Sequence, residues 1–179
     1  MTEFTPSIET ESWVFALQVY AEPGVAEACL RLQAEAGVDV MMLLTAAFAA
    51  VRRGIVLQAS DIQDMDDACR PWREQIVQPL RALRVALKSG PSPAPVPASG
   101  ELRSQIKASE LAAERLQNDL LATRLQQKAP APRAVTSEEL HAVLCSVVLQ
   151  ALQRRGSGQM DDVLPAIDDI VAAARGVAA

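Results

Sequence analysis

The chain has 179 residues, of which 50% are apolar and 22% charged, with a formal net charge of −5; these are values of a globular chain and exclude a disordered or fibrous one. Aromatic residues amount to 3% while Ala and Leu abound, so strand-favouring side chains are scarce and an all-α fold is expected. The cysteines Cys29, Cys69 and Cys145 are odd in number and widely spaced, which excludes a disulfide framework and a paired metal-ligand spacing and leaves buried free thiols as the expectation.

The opening "MTEFTPSIETES" is acidic and polar, unlike a secretory signal or an Arg-rich transit peptide, so a cytoplasmic chain is expected. Trp13, Ala16, Leu17 and Tyr20 fall at helical spacing and predict a first helix that Pro23 and Gly24 end. "PGVAEACLRLQAEAG" restarts a helix with Val25, Ala28, Cys29, Leu32 and Ala36 on one stripe, closing at Gly37. Then comes the most telling run, Val40 to Val51, without one charge. Asp39 is its N-cap, Arg52 and Arg53 suit the negative end of the helix dipole, and Gly54 can close it in a left-handed conformation.

A helix of about 14 residues reaches about 21 Å, short of the roughly 30 Å of a bilayer's hydrocarbon layer, so the run cannot span a membrane. Being apolar all round, it should be the central helix of a domain, with cavity lining as the alternative, and the Thr45 hydroxyl should bond back to the preceding turn. Ser60 as cap and Gln63 as its box partner predict a fourth helix. Pro71 opens a fifth, where Trp72, Ile76, Leu80, Leu83 and Leu87 form one seam that Pro79 kinks or splits. Residues 8–88 thus read as a helical core domain of about five helices around the buried apolar one.

"SGPSPAPVPASG" alternates Pro with small residues, so 89–99 reads as an extended linker. A long amphipathic helix follows over 100–128, with Leu102, Ile106, Ala113, Leu116 and Leu120 at four-and-three spacing; Ser109 and Thr123 interrupt the seam, which needs a partner surface without being a committed coiled coil. A second linker covers 129–136. Thr136 and Glu139 then form a capping box at the start of a C-terminal helical hairpin over 137–176, whose buried faces carry Leu140, Val143, Leu144, Val147 and Ala151, then Val163, Ile167, Ile170, Val171 and Ala174.

The segments "SWVFALQVYAEPGVAEACLRLQAEAGVDVMMLL" and "PWREQIVQPLRALRVALK" resemble a family of short proteobacterial proteins known as a domain of unknown function. Trp13, Phe15, Ala16, Tyr20, Pro23, Gly24 and Val25 carry the first part of the resemblance, and Trp72, Arg73, Pro79, Leu80 and Arg81 the second. Where the family pattern often has Asn after Asp-Val, this chain has Met41. The resemblance implies a bacterial cytosolic helical protein and brings no activity, cofactor or site residue with it.

Three groups could carry chemistry. Asp61 and Asp64 share a helix face and could hold a magnesium ion with a phosphate. Acidic side chains in a first helical turn also oppose the helix dipole, and that role accounts for both, as it does for Asp161 and Asp162. His141 and Cys145, four apart, could form a nucleophile pair or half a zinc site, but the chain has one histidine and no third orienting group is recognisable. Arg73, Arg81, Arg84 and Lys88 make a basic stripe with only Glu74 nearby; with no interleaved aromatics and an acidic whole, the stripe argues for ion pairing or an acidic protein partner over nucleic acid.

Neither a Gly-rich phosphate loop nor any cofactor motif is present. The reading is therefore a non-catalytic interaction protein that binds another protein, or itself, through its amphipathic helices. Arg73, Arg81, Arg84, Lys88, Leu102, Ile106, Leu116 and Leu120 are its candidate contacts, with no cofactor and no catalytic residue expected. The rival is a small enzyme or ligand carrier with a site beside the central helix. Trp13, Tyr20, Met41, Met42 and Phe48 would line it, and Asp61 with Asp64, or Arg73 with Arg81, would supply the polar ends. An enclosed cavity beside Thr45 would favour the rival; a bare apolar stripe on the long helix would favour the first.

Overall fold

The computed structural model describes residues 6–89 and 98–178, all of whose regular structure is helical. Chain order is α1 (Ile8–Tyr20), α2 (Val25–Ala36), α3 (Val40–Arg53), α4 (Ala59–Trp72), a π turn (Arg73–Val77), α5 (Gln78–Ser89), α6 (Ala98–Leu125), α7 (Ser137–Arg155) and α8 (Met160–Ala178). The expected all-α class holds. Most of the Pro-rich linker lies outside the described residues.

The uncharged run is α3, and its ends form as the sequence dictates. Asp39 Oδ1 accepts from the backbone N–H of Met41 at 3.0 Å, and Gly54 closes the helix at φ +65°. All ten residues from Met41 to Ala50 are buried, because α1, α6, α7 and α8 pack around the helix. Phe15 and Phe48 pack with ring centroids 5.7 Å apart. Thr45 departs from expectation: its hydroxyl is buried and has no hydrogen-bond partner among the described residues. The cost of such an unpaired hydroxyl is about 1–3 kcal/mol, which burial of the surrounding apolar side chains must offset.

One continuous apolar cluster joins side chains from α1 through α4 with Leu121 and Leu125 of α6, Leu140, Leu144 and Val148 of α7, and Val163, Ile167 and Ile170 of α8. The last two helices therefore pack on the first four: α8 lies along α2, and α7 along α3. Side-chain bonds to backbone carbonyls reinforce these joins. Arg31 Nη2 donates to the Asp162 carbonyl at 2.6 Å, and Arg155 Nη1 to the Ala34 carbonyl at 2.5 Å.

Two boundaries differ from the sequence reading. The fourth helix begins at Ala59 with Gln58 as N-cap and Asp61 as the returning box residue, so Ser60 and Gln63 do not have those roles. Nor does Pro71 open a new helix; α4 runs through it into the π turn and α5. Pro79 is the cause of that turn. It has no N–H to give the carbonyl four residues back and its ring crowds that carbonyl, and the widened turn, in which the Gln78 N–H reaches the Arg73 carbonyl, accommodates it. The extra residue rotates everything downstream about the axis. Beyond the turn Leu83, read as part of the buried seam, is exposed; within it Ile76 is exposed as well, while Arg73 and Val77 are buried.

Candidate functional site

The π turn and α5 bring the basic stripe inward. Arg73 is 7% exposed, with Nη1 donating to Asp39 Oδ2 at 2.7 Å and to Asp66 Oδ1 at 2.8 Å. It is therefore no surface recognition residue, contrary to the sequence reading. Asp66 also receives Arg70 at 2.9 Å and Arg154 of α7 at 2.7 Å. Burial pushes the Asp66 carboxyl upward, but the bonds and charge of Arg70 and Arg73 outweigh it and hold the group below its ordinary value. Asp39 thus caps α3 with one oxygen and takes Arg73 and Gln117 of α6 with the other. Cys69 lies against this network, and burial first, then the Asp39 charge, pushes its thiol up to about 12; burial does the same to Cys29. Neither is a thiolate nucleophile.

Arg81 and Arg84 face α6 as well. Arg81 Nε donates to Glu110 at 2.9 Å and its Nη2 to Glu114, while Arg84 also binds Glu110. The glutamates that neutralise the stripe come from about thirty residues away, which is why only Glu74 was visible as an offset in the sequence. Lys88 is exposed, and among the described residues it makes no ion pair.

The face that α6 turns to the core therefore mixes polar and apolar side chains: Glu110, Gln117 and Asn118 are buried beside Ala113, Leu121, Ala122 and Leu125. Asn118 accepts from Ser12 Oγ at 2.8 Å and donates to the Glu9 carbonyl at 2.9 Å. The leucines of the expected seam lie elsewhere. Leu102, Leu116 and Leu120 are 46%, 52% and 47% exposed, Ile106 is half-buried, and only Ala113 is buried. Trp72 fastens the edge of this outer face by donating Nε1–H to the Ala113 carbonyl at 3.0 Å. Together with Leu116, Leu120 and Arg124 it lines an open groove of about 700 Å³.

A second depression, of about 570 Å³, lies between α1–α2 and α5–α6. Of the residues expected to line a site beside α3, it contains Trp13, Tyr20, Met41, Arg73 and Arg81. Met42 and Phe48 are buried in the core instead, and Thr45 does not reach the cleft. Glu114 stands at its edge, and burial raises its carboxyl above the ordinary value despite the adjacent Arg81.

The acidic candidates are accounted for locally. Asp61 completes the α4 capping box and pairs with Lys128; its carboxyl is lowered chiefly by the Lys128 bond. Asp64 is exposed. Among the described residues no three His, Cys, Asp or Glu side chains converge as metal ligands. Asp168, visible in the sequence only as half of an acidic pair with Asp169 and not as a partner of His141, lies 3.2 Å from His141 Nε2, completing a Cys145–His141–Asp168 row. The Cys145 sulfur, however, is 3.5 Å from one ring nitrogen and 3.9 Å from the other. A thiol in line with one nitrogen's lone pair would be far from the second, so the sulfur stands over the ring face, where it cannot pass its proton. Burial also raises the Cys145 thiol.

Among the described residues no helix is long and apolar enough to cross a membrane. Neither a curated protein nor a solved structure matches the chain. Residues 11–121, from α1 through most of α6 and including every residue of the cleft between α1–α2 and α5–α6, match the family described as protein of unknown function DUF2390, and the chain belongs to that family.

Proposed function

We propose that this chain is a non-catalytic interaction protein of the bacterial cytoplasm that presents the outer face of α6, centred on Leu116 and Leu120 beside Trp72, to another protein. The observation that carries this reading is the outer face of α6. The core-facing side holds on through Glu110, Gln117 and Asn118 together with Leu121 and Leu125, while Leu102, Leu116 and Leu120 are left to solvent. A long helix gains little by exposing leucines at regular spacing unless another surface covers them. The three free cysteines, two of them fully buried, suit a reducing compartment.

The test uses full-length protein carrying Leu116→Glu and Leu120→Glu together, with Leu149→Glu on α7 as a control of equal exposure. A protein captured from the native host should be lost with the double variant, by about tenfold or more, and retained with the control. Light scattering over a range of concentrations distinguishes a second copy of the chain as the occupant. Equal capture and equal mass for all three proteins would overturn the reading.

A further inference from the structure

The cleft between α1–α2 and α5–α6 is unused by the reading above, and its chemistry is of a different kind. We propose that it binds a single-chain amphiphile: an unbranched aliphatic chain ending in a monoanionic head group.

The walls argue for the chain. Leu17, Tyr20, Leu30, Val85 and Leu111 all border the cleft, and each is left between 42% and 59% exposed. They come from four helices, so no single helix face explains their convergence. Behind them Met41, Leu44 and Val77 continue the apolar lining inward. Leu, Met and Val side chains outnumber the aromatic Trp13 and Tyr20 in the lining, which suits an alkyl chain better than a flat ring, and the Trp13 face is already in use, with the Arg115 guanidinium 5.8 Å from its ring centre. The volume, about 570 Å³, falls within the roughly 300–1,000 Å³ of small-molecule sites.

The charges argue for the head. Each carboxylate bordering the cleft already has an arginine: Asp39 has Arg73, Glu110 has Arg81 and Arg84, and Glu114 has Arg81. Four cationic side chains line the cleft against these three carboxylates. Lys107, which is exposed, pairs with no carboxylate among the described residues, and Arg84 engages Glu110 through Nε and Nη2 alone, leaving Nη1. Lys107 lies one turn before Glu110 on α6, so the Arg84–Glu110 pair brings the two cations to the same end of the cleft. A local cationic surplus on a chain of net charge −5 favours an anion there. The tail then runs inward toward Met41 and Leu44.

Calorimetry with dodecanoate below its micelle concentration tests this, with dodecanol and dodecyltrimethylammonium as heads of zero and opposite charge. One dodecanoate per chain is expected, with dodecanol weaker by about tenfold and the ammonium weaker still. Leu111→Glu should abolish binding of all three. Lys107→Glu should cost dodecanoate about tenfold and leave dodecanol unchanged; because Lys107 is exposed, this arm decides even where Leu111→Glu fails to fold. Absence of saturable binding, preference for the ammonium, or several molecules per chain bound equally by both variants would overturn the proposal. So would displacement of nothing but a partner's acidic amphipathic helix by the same two substitutions. None of these outcomes depends on Leu116 or Leu120, so this site and the α6 outer face fail separately.

Discussion

Replacing Asp39 tests the junction on which both α3 and the cleft depend. Its Oδ1 caps α3 and its Oδ2 neutralises Arg73, and both side chains of the pair are about nine-tenths buried. Asp39→Ala removes the cap, at about 1 kcal/mol. It also leaves Arg73 with Asp66 as its one remaining carboxylate. Stripping a buried ion of its whole partner set costs about 3–5 kcal/mol, and since Asp66 stays in place about 2 kcal/mol of that is expected. The total is about 3 kcal/mol, a large share of a domain's stability of about 5–15 kcal/mol. Asp39→Asn keeps a capping oxygen and loses only the charge, so about 2 kcal/mol is expected. Urea unfolding at neutral pH, followed in parallel by circular dichroism and by the fluorescence of Trp13 and Trp72, measures these values and checks that the transitions coincide. The double change Asp39→Ala with Arg73→Met should cost at least about 1 kcal/mol less than the two single changes added, because they share one contact. Strict additivity, or an Asp39→Ala cost no greater than that of a lost cap, would refute the account.

Two further outcomes follow from the geometry. Burial raises the Glu114 carboxyl in the folded state, so the folded protein holds this proton more tightly than the unfolded chain does. The associated stability is complete below the unfolded carboxylate range and is lost as pH rises through the folded value. Glu114→Gln, which cannot ionise and can still accept from Arg81, should therefore melt above the natural protein at pH 7 and level with it near pH 4; a lower melting temperature at pH 7 would contradict this. Gly24 and Gly158 both have positive φ, but a Cβ on Gly24 meets nothing within 4 Å while one on Gly158 would stand 2.8 Å from the Glu35 carbonyl oxygen. Gly24→Ala should cost about 1–2 kcal/mol from conformation alone. Gly158→Ala should cost more than about 3 kcal/mol, because a backbone oxygen cannot step aside; equal costs in thermal or urea melts would show that the α7–α8 loop does not press on α2.

What could be read from the sequence was whatever neighbouring residues settle among themselves. The α3 run is legible because its cap, its uncharged body and its closing glycine act within one helix, and the Thr136–Glu139 capping box is legible for the same reason. The all-α class follows from composition. The site was only partly legible: Trp13, Tyr20, Met41, Arg73 and Arg81 were named as candidates for a site beside α3, and Met42 and Phe48 wrongly joined them. On a helix buried on every side, periodicity cannot say which face meets core and which meets cleft. Tertiary structure alone decided the rest. A seam read at constant helical spacing assumes an uninterrupted α-helix, and the π turn ahead of Pro79 rotated Arg81 and Arg84 toward α6. Once arginines from one helix and glutamates from another could pair, Glu110 of α6 became buried and Leu102, Leu116 and Leu120, leucines of the expected seam, were left outside. Hydrophobicity ranks side chains one at a time, whereas burying a charge depends on a partner that the chain brings close only when it folds.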